Sequence, residues 1–308
     1  MKIHIVRCLL AVALAAIPGA LQAQPDAHYV TGLEGIKGAS LPPPGFYVKD
    51  YNLCYVADQM NDPAGQKAPG KFDMLIYANV PRAIWITDTK LLGGNVGVDA
   101  LLPLQYLSVK AGPSGGPYFD KGTFGIGDLF AESTLSWHPK QFDLAAGVGL
   151  FMPTGDSASP STTRVGSGFW TPMLTAGATW YPDEAKTWAV SALSRYEFNT
   201  EDRDTHVTPG QAYTLEWGVS KSVTKTIDCG VVGYYQQRVT ASKGDDPSAG
   251  IQFAAQEFPY SRVAAIGPEI SAAFPSMKLF VSLRYDYEFM ADSRAQGHTV
   301  ALTLIKAF

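Results

Sequence analysis

Apolar and polar residues alternate with period two along much of the chain. Met277, Leu279, Val281, Leu283, Tyr285, Tyr287 and Phe289 form one row, interleaved with Lys278, Phe280, Ser282, Arg284, Asp286 and Glu288. Phe142, Leu144, Ala146, Val148, Leu150 and Met152 form another, against Gln141, Asp143, Ala145, Gly147 and Gly149. Trp188, Val190, Ala192, Tyr196 and Phe198 form a third, against Thr187, Ser191, Arg195, Glu197 and Asn199. At the chain end Val300, Leu302, Leu304 and Phe308 share a face. Alternation of this length exceeds an ordinary strand of about five or six residues and suits one of roughly 9–11 that crosses a bilayer.

The pattern predicts about twelve strands, at 45–58, 72–88, 94–110, 123–138, 141–153, 169–182, 186–199, 211–223, 227–240, 262–274, 277–290 and 297–308. Short and long gaps alternate between them, with long ones at 59–71, 111–122, 154–168, 200–210, 241–261 and 291–296. That rhythm predicts an all-β fold: a transmembrane antiparallel up-and-down β-barrel, with tight turns at one rim and longer loops at the other. A soluble sandwich also alternates, but with shorter strands and polar outer faces. Here Trp137, Trp180, Tyr181, Trp188, Trp217, Tyr287 and Phe289 fall near predicted strand ends, where an interfacial aromatic girdle belongs. A strand ending at Phe308 leaves an aromatic and edge groups uncovered unless it pairs with the first strand.

The other end supports export. Lys2 and Arg7 precede an apolar run broken by Pro18 and Gly19, and Leu21-Gln22-Ala23 offers a small residue for cleavage. The expected division is a signal peptide at 1–23, an N-terminal segment at 24–44 and a barrel at 45–308. Without 1–23 the formal charge moves from -4 to -6, which argues against a nucleic-acid surface. Charged residues are only 17% of the chain, below the usual quarter, although no long apolar run follows residue 23. A lipid face built from alternate residues explains both. Cys54 and Cys229, an exported pair, could form a disulfide, but they fall on separate predicted strands, which favours two unrelated buried thiols.

If the apolar rows face lipid, the opposite rows face the lumen. They carry Asp128, Glu132, Arg195, Glu197, Glu216, Glu269, Arg284, Asp286 and Glu288. These nine are the candidate lumen residues, either a self-neutralising lattice or a selectivity constriction. Arg195 and Arg284 are the sharper candidates, since two bases face many acids. His28, His138, His206 and His298 show no metal-ligand spacing and no nucleophile pattern, so no metal, cofactor or enzymatic role is expected. Gly122, Gly125 and Gly127 lack the following helix of a phosphate loop.

Several short strings, taken in order, resemble a known family. They are Gly32, Gly35 and Gly38; Pro42-Pro43-Pro44-Gly45-Phe46-Tyr47; Gly125-Ile126-Gly127-Asp128-Leu129; Trp137; Pro153-Thr154-Gly155-Asp156; and Gly166 through Trp170. Tyr196-Glu197-Phe198-Asn199, Gly210, Gly233-Tyr234-Tyr235, Ile266-Gly267-Pro268-Glu269 and the aromatic terminus follow. The chain resembles the outer-membrane family named for the "putative" meta-pathway of phenol degradation. The resemblance implies a barrel in the outer membrane of a Gram-negative bacterium and passive uptake of small hydrophobic or aromatic solutes. It implies as partners outer-membrane lipid and the barrel assembly machinery, with Phe308 as the assembly signal. Lys306 departs from the apolar row expected of the last strand.

About eight strands make a filled barrel and 16–18 an open pore, so twelve predicts a narrow bore. The segment 24–44 is long enough to enter it as a plug or to trail outside as a lead. Three readings follow: a passive channel, a closed structural or surface-binding barrel that docks a partner through 241–261, and a barrel hydrolase.

Overall fold

The structure, a computed structural model, describes residues 27–114, 116, 119–157, 164–246, 251–252 and 261–308. The expected signal peptide at 1–23 and most of 241–261 lie outside the described residues. Strands β1 (Gly45–Met60) and β2 (Lys71–Leu91) are followed by β3, in two pieces, Gly94–Leu101 and Leu104–Gly112. β4 is also in two pieces, Phe119–Ile126 and Leu129–Trp137. Then come β5 (Phe142–Met152), β6 (Thr171–Trp180), β7 (Trp188–Glu197), β8 (Ala212–Ser222), β9 (Ile227–Arg238), β10 (Arg262–Phe274), β11 (Leu279–Asp292) and β12 (Ala295–Ala307). Each strand pairs antiparallel with the next, and β1 pairs with both β2 and β12, so the twelve strands close into a barrel. Closure leaves no free edge, which a strand wall in hydrocarbon requires. No helix among the described residues is long and apolar enough to cross a membrane.

The predicted strands match these closely, with three instructive differences. Pro103 lacks an N–H and interrupts β3, and Gly127 and Asp128 interrupt β4 opposite it. The β3–β4 register moves by one residue across that break, from Leu101↔Phe130 to Leu104↔Ile126. Such a bulge re-aims a side chain, and Asp128 is the one turned inward. Second, the expected long gap at 291–296 is a tight turn at 293–294, with Ser293 in the left-handed region (φ 56°). Third, Met277 sits in a 3-10 turn, Pro275–Met277, ahead of β11.

The apolar rows face outward. Phe142, Leu144, Val148, Leu283, Tyr285, Tyr287 and Phe289 are all exposed, while Asp143, Ser282, Arg284, Asp286 and Glu288 between them are buried. At the rim of short turns, Phe46 lies opposite Trp85, and the Phe46 and Phe308 rings stand 5.8 Å apart. The Phe308 N–H donates to the Phe46 carbonyl at 3.1 Å, so the terminal aromatic lies beside the start of β1. Tyr181 departs from its expected girdle position. It is buried, because its hydroxyl turns inward to donate to Asp143 Oδ2 at 2.5 Å. Cys54 and Cys229 are free thiols, but neither is buried as expected: both lie on outward rows, half-exposed and exposed.

Phe308→Ala removes the rim aromatic pair, worth about 1 kcal/mol. The expected outcome is a lower urea midpoint for the detergent-folded barrel with unchanged far-ultraviolet circular dichroism.

Candidate functional site: a plugged lumen

The segment before β1 does not trail outside. Residues 28–40 run through the lumen and bond to the inner wall from β1 to β11. Tyr29, Leu33, Ile36 and Ala39 are buried. Glycine makes this fit possible. A Cβ on Gly35 would lie 2.1 Å from Glu269 Oε2, and one on wall residue Gly218 would lie 3.2 Å from Ile36 Cα. Gly32 turns the plug in the left-handed region (φ 74°) against Tyr234 and Asp286.

Glu34 is the centre of the contact. Its Oε2 accepts from Lys49 Nζ of β1 at 2.5 Å. Its Oε1 accepts from Arg82 of β2 at 3.0 Å and from the Tyr51 hydroxyl at 2.9 Å, with Arg195 of β7 at 3.6 Å. Burial pushes the Glu34 carboxyl up, but Lys49, Arg82 and Arg195 outweigh it and hold the group well below the usual carboxylate range. Both arginines are shared with acids of the wall: Arg82 also donates to Asp99 (2.8 Å) and Glu132 (3.4 Å), and Arg195 to Glu216 (2.9 Å). The Arg195 guanidinium lies 4.1 Å from the Tyr29 ring centre, and Tyr29 donates its hydroxyl proton to Glu216 at 2.8 Å.

Two flanking sets complete the anchorage. Near the long loops, Glu197 Oε1 accepts the backbone N–H of His28 (2.9 Å) and of Tyr29 (2.8 Å). The His28 ring stacks on Phe151 and sits between Asp128 (2.7 Å) and Thr171 (2.9 Å). Asp128 also accepts from the N–H groups of Gly155 (2.8 Å) and Ser167 (2.6 Å), so one carboxylate ties plug, wall and the loop after β5 together. Thr171 gives its hydroxyl proton to Asn199 at 2.8 Å. On the far wall, Arg284 donates to the Gly32 carbonyl, to Asp286 (3.0 Å) and to Glu269 (3.5 Å), and Glu269 accepts the Ile36 N–H at 3.0 Å. Glu288 accepts from Tyr55 and Tyr234, both at 2.9 Å.

All nine candidate lumen residues therefore point inward and are buried. All nine reach the plug directly or through one shared partner, and Glu288, which does so through Tyr234, also braces β1, β9 and β12. Glu34, Lys49, Tyr51, Arg82 and Asp99 were not among the candidates. Arg82 hides in an apolar inward row, Ala78, Val80, Ile84 and Ile86, while Tyr77, Asn79 and Pro81 stand in the outward row. On β1 and β2 the polarity rule runs the other way, so the missed signal was a lone base in an apolar row. No group of metal-ligating side chains occurs among the described residues.

The sequence matches the family described as "Putative MetA-pathway of phenol degradation" over residues 57–304. The chain belongs to this family. No curated protein sequence matches it. Among solved structures it is similar to an outer membrane channel from Pseudomonas putida F1, with a TM-score of 0.72 at 15% identity, covering 91% of this chain and 100% of that one. The translocator domain of the autotransporter NalP from Neisseria meningitidis is also similar, with a TM-score of 0.54 at 11% identity, covering 88% and 91%. At these identities the likeness shows the fold: that of outer-membrane barrels.

Glu34→Gln leaves three buried cations without their shared anion, a loss of about 3 kcal/mol. Because the folded-state pKa of Glu34 is lowered, its contribution is complete above the unfolded value of about 4.3. It is lost only as pH falls through the lower folded value. Urea unfolding of both proteins tests this. The gap in stability is expected to hold from pH 8 to about 5 and to narrow only in stronger acid.

Proposed function

We propose that the protein is an outer-membrane channel for passive uptake of small hydrophobic or aromatic compounds, exported by the segment at 1–23, and that residues 27–44 gate its lumen. The carrying observation is the lining beneath the plug. Tyr51, Leu53, Ala78, Val80, Leu101, Phe130, Phe151 and Met173 form one apolar cluster inside the barrel, covered by Tyr29 and Leu33 of the plug. Withdrawal of the plug exposes that strip along β1 to β6. Lys49, Arg82, Asp99 and Glu132 beside the strip, and Arg195, Glu216, Glu269 and Arg284 on the opposite wall, stay polar and hydrated. A bore with an apolar-aromatic strip suits an uncharged aromatic solute better than it suits an ion.

Carboxylates outnumber bases among the buried lumen residues: Asp99, Asp128, Glu132, Glu197, Glu216, Glu269, Asp286 and Glu288 face Lys49, Arg82, Arg195 and Arg284. Their field opposes anions. This makes neutral aromatics, not aromatic acids, the favoured class. Barrel assembly machinery and outer-membrane lipid are the partners this reading requires, with Phe308 at the closing seam as the recognition residue. Chemistry on the solute forms no part of it. A second reading, a structural barrel with a permanently closed lumen, draws on the same plug.

Deletion of residues 27–40 separates the two. Planar-bilayer conductance is expected to rise and to select cations, read from the reversal potential in a salt gradient. Liposome swelling with a neutral phenyl glycoside is expected to exceed that of empty liposomes, and to exceed swelling with benzoate. Swelling at the empty-liposome rate for both the intact and the deleted protein would favour the closed barrel.

A further inference from the structure

The outward face of β1 carries a carboxylate where a lipid wall should be apolar. Along that row stand Phe46, Val48, Asp50, Asn52, Cys54 and Val56, while Lys49, Tyr51 and Leu53 face the plug or the core. Asp50 and Asn52 lie between two aromatic levels. Phe46 and Trp85 mark the short-turn side, and Tyr77, opposite Cys54, and Tyr106, opposite Tyr77, mark the other. Asn79 of β2 is the register partner of Asn52. The Asn79 amide donates to Asp50 Oδ1 at 2.8 Å and to Asn52 Oδ1 at 3.1 Å, and the Asn52 amide donates to Asp50 Oδ2 at 2.9 Å. Tyr77 donates to Asn52 at 3.3 Å. Asp50, Asn52 and Asn79 are all half-exposed.

An ionisable group at mid-depth is expensive in hydrocarbon and is ordinarily covered by protein. The carboxamide inventory leaves one Asn52 N–H and the Asn79 carbonyl oxygen over after these bonds, and the carboxylate keeps lone pairs. The patch is thus both donor and acceptor. Ala83 and Ala100, a small outward pair on β2 and β3 beside it, let another surface approach closely. Two copies inserted in the same direction are related by a two-fold axis along the membrane normal, which keeps equal depths opposed. Asp50, Asn52 and Asn79 then meet the amides of the same patch. Lys306, outward on β12 and paired with Val48, gives one N–H to the Met277 carbonyl and keeps others for an acid across the axis.

We propose that this face of β1 and β2 is a self-association surface, and that a second copy of this chain covers the Asp50–Asn52–Asn79 cluster within the membrane. The proposal requires insertion but does not depend on what the lumen conducts.

Nature supplies the probe. Cys54 lies in the same outward row, one position beyond Asn52, and Cys229 lies outward on β9, away from the patch. Outer membranes holding the full chain are treated with copper phenanthroline or a short bismaleimide and run on non-reducing gels. A band of doubled mass is expected in wild type and in Cys229→Ser, and its loss in Cys54→Ser. Asp50→Leu combined with Asn52→Leu and Asn79→Leu is expected to cut its yield about tenfold, the effect of losing intramembrane hydrogen bonds. Heat-modifiable migration confirms that the barrel still folds; if the triple variant does not, Asn79→Leu alone is read. Absence of a Cys54-dependent band overturns the proposal, as does a band undiminished by the leucines. Protection of Cys54 from maleimide by a lipid-phase phenol, with no cross-link, assigns the cluster to a small ligand instead and likewise overturns it.

Discussion

One buried carboxylate organises the interior. Glu34 accepts from Lys49 and Arg82 on neighbouring strands and draws in Arg195 from β7, across the barrel. Without it these cations would face one another in a space where water is scarce and charge repulsion is poorly screened. With it, the two arginines are shared between plug and wall, and the wall acids Asp99, Glu132 and Glu216 complete their neutralisation. Breaking such a pair costs more than forming it gains, because removal of one partner strands the other. The lattice therefore fixes the position of the plug more than it adds to the stability of the barrel.

That arrangement explains why a twelve-stranded wall can hold so much charge inside and so little outside. The barrel is too wide to be filled by its own side chains and too narrow to be an open pore. The chain fills the difference with its own N-terminal segment, and inward glycines such as Gly218 make the room. The interior carries an apolar and aromatic strip on β1 to β6, with ionic side chains beside it at Lys49, Arg82, Asp99 and Glu132 and across from it at Arg195, Glu216, Glu269 and Arg284. Tyr29 belongs to both sides, stacking beneath Arg195 and closing over the apolar cluster.

The strands were legible because lipid on one side and polar lumen on the other impose a strict period of two. All nine lumen candidates came from that alternation on β4 and β7 to β11. The rule failed on β1 and β2, where the plug replaces water inside and a polar cluster replaces lipid contact outside. There Arg82 sits in an apolar row, and Asp50, Asn52 and Asn79 stand outward. Glu34 was hidden for a different reason: the plug is irregular, so no periodicity announces which side chain turns toward the wall. Tyr181 was misplaced because its position near a strand end suits a girdle, and only the inward Asp143 shows why its hydroxyl turns in.

The central claim is that the plug is a docked element of the native fold. Hydrogen exchange on the wild-type protein in detergent or bilayer addresses it without a substitution. The amides of Tyr29, Ile36 and Ala39 donate to Glu197, Glu269 and Ser191 of the wall at 2.8, 3.0 and 3.3 Å. Protection of these three amides comparable to that of the β1 amides is the predicted result. Exchange at the rate of an unstructured peptide, with the barrel amides still protected, would contradict it.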